Sequence, residues 1–199
     1  MSYSIIGFGP VGRALARAFA RKNIEVSVAS RRAPQELAPQ ASAIGKTVTP
    51  RVLQDALQAD VIFLAVPFQE HAAIAQLLPG WQGKTIIDAT NAYGVALEKL
   101  GGLPSSAVIA RAFNGANFVK GFNHLPAGLL AADPQLEGGR RVVFLASDDD
   151  DSVPPVATLA ERLGFAPVPL GKLAEGGALV QARGNSWAPL IFQDLVKAD

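Results

Sequence analysis

Three glycines, Gly7, Gly9 and Gly12, lie between the apolar run "YSII" and the amphipathic stretch "VGRALARAFARK". A G-x-G-x-x-G spacing between a strand and a helix admits few folds, because each glycine has a separate steric task. Gly7 allows the tight turn off the strand, Gly9 lets a diphosphate approach the backbone, and Gly12 lets the helix pack closely on the strand. A helix starting at Pro10 directs unpaired N–H groups and the positive end of its dipole at the same point. Gly7, Phe8, Gly9, Pro10, Val11 and Gly12 are therefore expected to form a cradle for the phosphates of a dinucleotide.

The remaining pattern extends this unit. "IEVSVAS", "AIGKTVT", "DVIFLAVP", "KTIIDAT", "NFVKGF", "RRVVFLAS" and "APVPL" read as strands. Between them, helices are predicted near Pro50–Gln58 and Glu70–Leu78, and over "PSSAVIARAFN", "PAGLLAA" and "VPPVATLAERLG". Ser152 is a candidate cap for the last of these and Gly164 its stop. Lys172 to Lys197 is read as mostly helical. Strands alternating with helix-length runs predict an α/β, Rossmann-type doubly wound and mainly parallel sheet, with a small C-terminal helical lobe. A single domain, 1–199, is expected: about 1–148 as the dinucleotide-binding core and 149–199 as an extension completing an acceptor cleft.

Composition excludes several classes of function. The chain has 199 residues, a net charge of +1 and no Lys/Arg-rich tract, so neither nucleic acid nor an anionic membrane is an expected partner. It has no cysteine, which excludes disulfides, thiolate metal sites and a cysteine nucleophile. The acidic run Asp148–Asp151 lacks the glycine and downstream glutamate of a calcium loop, and no metal site is predicted. The apolar run Val61–Phe68 is far short of the roughly 20 residues that cross a bilayer. No basic segment precedes the first strand, so a cytoplasmic location is expected.

The choice of cofactor turns on the end of the second strand, which in this fold lies beside the adenosine ribose. A carboxylate there favours the two free hydroxyls of NAD, whereas arginine favours the 2′-phosphate of NADP. This chain has Ser30, Arg31 and Arg32 at that place and no acid. Two charge-assisted hydrogen bonds of about 1.5–3 kcal/mol each, reduced by solvent exposure, predict a preference for NADP(H) of about tenfold to a thousandfold. The nicotinamide end should lie outside the strand termini, against Ala65, Val66, Pro67 and Phe68, with Asn91 and Tyr93 at the same rim.

Taken in order, "IIGFGPVGRALA", "SRR", "ADVIFLAVPF", "IIDATN", "VKGFNHLPAGLL" and "LGFAPVPLGKL" resemble the NADP oxidoreductases that use coenzyme F420, a deazaflavin. The same unit resembles the cytoplasmic reductase domain of the six-transmembrane metalloreductases. The resemblance implies hydride transfer between nicotinamide and a stacked ring, in a homodimer. It also implies that Ser30 and Arg31 hold the 2′-phosphate, that Val66 and Pro67 flank the nicotinamide ribose, and that Ala127 lies near the carboxamide. Asn123 stands where those enzymes have a histidine, with His124 one place out of register, and Ala188 stands where they have a threonine. Asn123, His124 and Ser186 are the acceptor-side candidates. The expected activity is NADPH-dependent hydride transfer to an exchangeable deazaflavin (coenzyme F420), flavin or quinone-like ring. Two alternatives are an NADP(H)-binding redox sensor without turnover, and an imine or pyrroline-carboxylate-type reductase drawing a proton from His124 or Tyr93.

Overall fold

The computed structural model describes residues 1–198. The first half runs β1 (Tyr3–Ile6), α1 (Pro10–Arg21), β2 (Val26–Ala29), α2 (Pro34–Ile44), β3 (Val48–Pro50), α3 (Leu53–Ala56), β4 (Val61–Leu64), α4 (His71–Ala75) and β5 (Thr85–Asp88). Next come β6 (Ala92–Tyr93), α5 (Ser105–Ala112), β7 (Asn117–Gly121), α6 (Ala127–Ala131), β8 (Gln135–Leu136) and β9 (Gly139–Ala146). The chain finishes with α7 (Val153–Arg162), β10 (Ala166–Pro169), β11 (Ala182–Gly184), β12 (Ser186–Trp187) and β13 (Val196–Lys197).

The main sheet has the order β3-β2-β1-β4-β5-β7-β9-β10. Its first six strands are parallel, β9 is antiparallel to β7, and β10 runs parallel to β9. This is the doubly wound Rossmann-type order, and the direction of winding reverses between β1 and β4. Helices cover both faces, so neighbouring residues of one strand enter opposite cores. Ile5, Phe63, Ile87 and Val119 join the cluster that also holds Leu15, Phe19 and Leu163, whereas Ile6, Leu64, Ile86 and Phe118 join the cluster around Trp81, Ile109 and Phe113. An aromatic chain crosses the first core: Phe19–Phe63 at 5.6 Å, Phe63–Phe122 at 5.4 Å and Phe122–Phe165 at 5.9 Å between ring centroids. No helix among the described residues is long and apolar enough to cross a membrane.

Several elements depart from the sequence reading. Pro50 closes β3, on the outermost parallel strand, and the following helix is confined to Leu53–Ala56. Ser152 makes no capping bond from its side chain to α7; its hydroxyl donates to Asp149, whose other oxygen accepts from the Asp151 amide. Past residue 171 the extension is not a helical lobe. It holds one 3-10 turn (Gly176–Val180), a small sheet of β6, β11 and β12, and β13 paired to β9. Glycine density explains this: a Cβ at Gly176 would lie 1.8 Å from the Leu170 carbonyl oxygen, and Gly184 has a φ of 54°. A helix through this stretch would have to give up both conformations.

Candidate functional site

A cleft of about 600 Å³ opens outside the carboxyl ends of β1, β2 and β4, at the reversal of strand order. Gly7, at φ 102°, makes the turn there, and a Cβ on it would lie 2.2 Å from the Ala65 carbonyl oxygen. A Cβ on Gly12 would come within 1.9 Å of the Gly7 carbonyl oxygen, so α1 seats directly on the turn. Around Gly9 the corresponding space is empty to 4 Å, which leaves the backbone open to a ligand. Gly9 is also the N-cap of α1 and brings no side-chain oxygen to the helix end. The amides of Val11 and Gly12 precede the first intrahelical bond, from Arg13 N to Gly9 O at 2.9 Å, and stay available to an anion.

Gly7, Phe8, Gly9, Pro10, Val11, Ser30, Arg31, Arg32, Ala65, Val66 and Pro67 all line this cleft, as the sequence reading expects. Gly12 lies buried beneath the turn. The Ser30 hydroxyl accepts from the Arg32 amide at 3.1 Å, leaving its own proton for a ligand. Arg31 is 80% exposed and reaches across the cleft to Glu70, Nη1 to Oε1 at 3.1 Å. Ile6, Arg13, Leu53, Glu70 and Ile74 complete the wall and are not among the expected residues. Arg13 follows the third glycine and donates to the Phe8 carbonyl at 3.1 Å, so its position in the motif was an available signal. Leu53, Glu70 and Ile74 come from two separate connections, and no local pattern joins them to the turn.

Three residues expected at the cofactor, Phe68, Asn91 and Ala127, lie outside the cleft lining. Phe68 is buried in the second core, because the 3-10 turn Phe68–Glu70 rotates its ring away from the cleft and against His71, at 4.8 Å. His71 is buried as well, with Nδ1 on the Phe68 carbonyl. Asn91 is used structurally: its Nδ2 donates to the Asn123 carbonyl at 2.9 Å, and its Oδ1 accepts from Asn123 Nδ2 and the Ala182 amide, both at 3.1 Å. These bonds tie the ends of β5 and β7 to the C-terminal extension. Ala127 starts α6 and packs into the core beside α1, outside the cleft lining.

The acceptor-side candidates are not gathered into one site. Asn123 is buried and also donates to the Val180 carbonyl at 2.5 Å. Ser186 is exposed on β12. Beside it Trp187, 62% exposed, meets Phe192 at 5.0 Å and Tyr93 at 5.9 Å. His124 is fully buried against Phe144, and neither ring nitrogen has a hydrogen-bond partner. Burial depresses its pKa from 6.5 to about 4, only partly opposed by Asp194. The unfolded chain therefore takes up a proton below pH 6.5 that the folded chain refuses until about pH 4. Stability should fall as the pH drops through that window, by about 3 kcal/mol for this group. Urea unfolding midpoints between pH 7 and pH 4 measure the loss, and His124→Leu should remove most of it.

One buried charged pair was also not foreseen. The Lys120 ammonium on β7 meets the Asp88 carboxylate at the end of β5, 3.0 Å apart and with both side chains fully buried. The ammonium also donates to the Thr90 carbonyl, and the Thr90 amide donates to Asp88 at 2.9 Å. Burial pushes the pKa of Lys120 down, with Asp88 acting against it.

Comparison with known proteins agrees with this fold. Residues 2–92 match the model of the family described as NADP oxidoreductase, coenzyme F420-dependent. The metalloreductase STEAP3 of Rattus norvegicus is 28% identical over 172 residues, 85% of this chain, and the chain spans only 34% of that relative's length. The solved structure of the hypothetical protein SMa0349 from Sinorhizobium meliloti is similar over 99% of this chain and 96% of its own, with 40% identity and a TM-score of 0.91. A protein from Arthrobacter sp. FB24, described as an F420-dependent NADP-reductase, is 26% identical, with a TM-score of 0.69 over 87% of this chain and 86% of its own. The matched residues 2–92 contain the whole glycine turn, both arginines after β2 and the end of β4, and it is over this segment that the chain is similar to the NADP oxidoreductases of the coenzyme F420-dependent family.

Proposed function

We propose that the chain binds NADP(H) in the cleft over β1, β2 and β4 and passes hydride between the nicotinamide and an exchangeable ring acceptor: a deazaflavin such as coenzyme F420, a flavin or a quinone-like molecule. One observation carries the reading: Ser30, Arg31 and Arg32 stand beside the cleft at the end of β2. The residues fit the cofactor. The open backbone at Gly9 and the uncapped start of α1 suit the diphosphate, and the hydroxyl and guanidiniums suit a dianionic 2′-phosphate. Leu53, Val66 and Ile74 offer apolar wall to flat rings. The bound nicotinamide would supply the hydride.

What the protein adds is position and exclusion of water, which suffices for transfer between two rings. Reduction of an imine or a carbonyl would also need a proton donor. The ionisable residues lining the cleft are Arg13, Arg31, Arg32 and Glu70. Arginine does not give up its proton at neutral pH, and the Glu70 carboxylate is engaged by Arg31 at 3.1 Å. His124 is buried away from the cleft, and the pKa of the exposed Tyr93 phenol is raised by partial burial. These positions favour the ring acceptor over the imine reductase.

The deciding assay is anaerobic NADPH oxidation by the purified chain, with FMN, FAD and coenzyme F420 offered separately. Turnover with at least one ring, and much slower turnover with NADH, is the expected result. Tight NADPH binding without turnover on any ring would favour the redox-sensor alternative.

A further inference from the structure

The Arg31 guanidinium, placed above on the 2′-phosphate, already has a carboxylate partner. Glu70 Oε1 lies 3.1 Å from Arg31 Nη1, and the two residues stand on opposite connections of the same cleft, after β2 and after β4. Arg31 is 80% exposed and Glu70 30%, so the carboxylate is the more buried member and the guanidinium the more solvated one. Glu70 makes no other ion pair among those described. Ser30 and Arg32 complete the cationic side of the cleft, and Glu70 is the one acidic residue among its lining.

We propose that Glu70 is a specificity-determining residue. Its carboxylate occupies Arg31 while the cleft is empty and competes with the 2′-phosphate for the same guanidinium, which lowers affinity for NADP(H) and narrows discrimination against NAD(H). The proposal rests on the reading of Arg31 as the 2′-phosphate ligand. A 2′-phosphate carries between one and two negative charges at neutral pH and seeks the same forked donor set as a carboxylate. Seating it on Arg31 either displaces Glu70 or leaves two anions on one guanidinium. Both cost binding free energy, and NAD(H), which has no 2′-phosphate, avoids the conflict. At a solvent-facing pair this cost is a few-fold to about tenfold in affinity and is screened by salt.

The test is a set of binding titrations on the wild-type chain, Glu70→Gln, Arg31→Gln and the double variant. NADPH, NADH and adenosine 2′,5′-bisphosphate are the probes, at ionic strengths of about 0.01 M and about 0.15 M. Glu70→Gln should tighten NADPH and the bisphosphate by about three- to tenfold at low salt and change NADH by less than about twofold. The gain should shrink at the higher salt and vanish in the Arg31→Gln background. If Glu70→Gln weakens NADPH and NADH alike, the carboxylate is a ligand of the shared part of the nucleotide and the competition is overturned. No gain for NADPH, in a protein whose Arg31→Gln variant selectively loses it, overturns the role of Glu70 alone. If Arg31→Gln leaves NADPH binding intact, the underlying assignment of the 2′-phosphate fails.

Discussion

Lys120→Met should lower the stability of the folded chain by about 3–5 kcal/mol, the cost of leaving one member of a buried ion pair without its partner. Methionine fills much of the lysine volume, so the loss isolates the ammonium rather than a cavity. What remains is the Asp88 carboxylate, fully buried, with the Thr90 amide as its other described donor. The Thr90 carbonyl loses a donor at the same time. For a chain of this length the loss corresponds to a fall in Tm of roughly 6–20 °C. Asp88→Asn should cost a comparable amount by stranding the ammonium. Pairing Lys120→Met with an apolar replacement of Asp88 should recover a large part of either loss, because the two charges then leave the interior together. Calorimetry on the wild type, Lys120→Met, the same apolar variant of Asp88 alone and the double variant closes the cycle. A double variant as unstable as the sum of its parents would show that the two side chains act independently.

Arg31→Asp should weaken NADPH binding by about tenfold to a thousandfold while leaving NADH within a few-fold of the wild type. The substitution removes a forked donor and sets a carboxylate where the 2′-phosphate is assigned. It also faces the new carboxylate with Glu70, whose charge then has no cation on that side. Ser30 and Arg32 remain at the end of β2, and they set the lower bound of the range. Arg31 is exposed, so the fold should tolerate the change and unfolding midpoints should move little. Fluorescence titration with the two reduced nucleotides reads the effect. Equal losses for both would remove the 2′-phosphate from this position.

The parts of the fold legible in the sequence are those whose cause is local. The glycine turn is legible because its three glycines fall within six residues between a strand and a helix, and the structure realises the crowding at Gly12 against Gly7, the open space at Gly9 and, from Ala65 on a distant strand end, the crowding at Gly7. The alternation of strands with helix-length runs gave the parallel sheet through β7. Ser30, Arg31 and Arg32 were legible because the end of the second strand has a fixed place in such a sheet. Phe68 was misplaced because a short turn, which leaves no periodic trace, sets its direction. The stretch Lys172 to Lys197 reads as mostly helical, whereas Gly176 makes a close approach and Gly184 adopts a conformation that a helix cannot hold. Glu70 and Asn91 acquire their partners across 39 and 32 residues of chain, and no spacing rule reports such meetings.

The ion pair at the sheet's centre has a consequence for how the chain can be divided. Asp88 ends β5, the last strand that the segment 2–92 gives to the main sheet, but the cation that neutralises it is Lys120 on β7, outside the segment that matches the family model. During synthesis the segment emerges first, with its β5 edge open and an acid at its tip that hydration must satisfy until β7 docks. Cut at residue 92, it would keep every atom of the glycine turn and still be an incomplete folding unit. The nucleotide cradle is encoded in the first half of the chain, and its rigidity is on loan from the second.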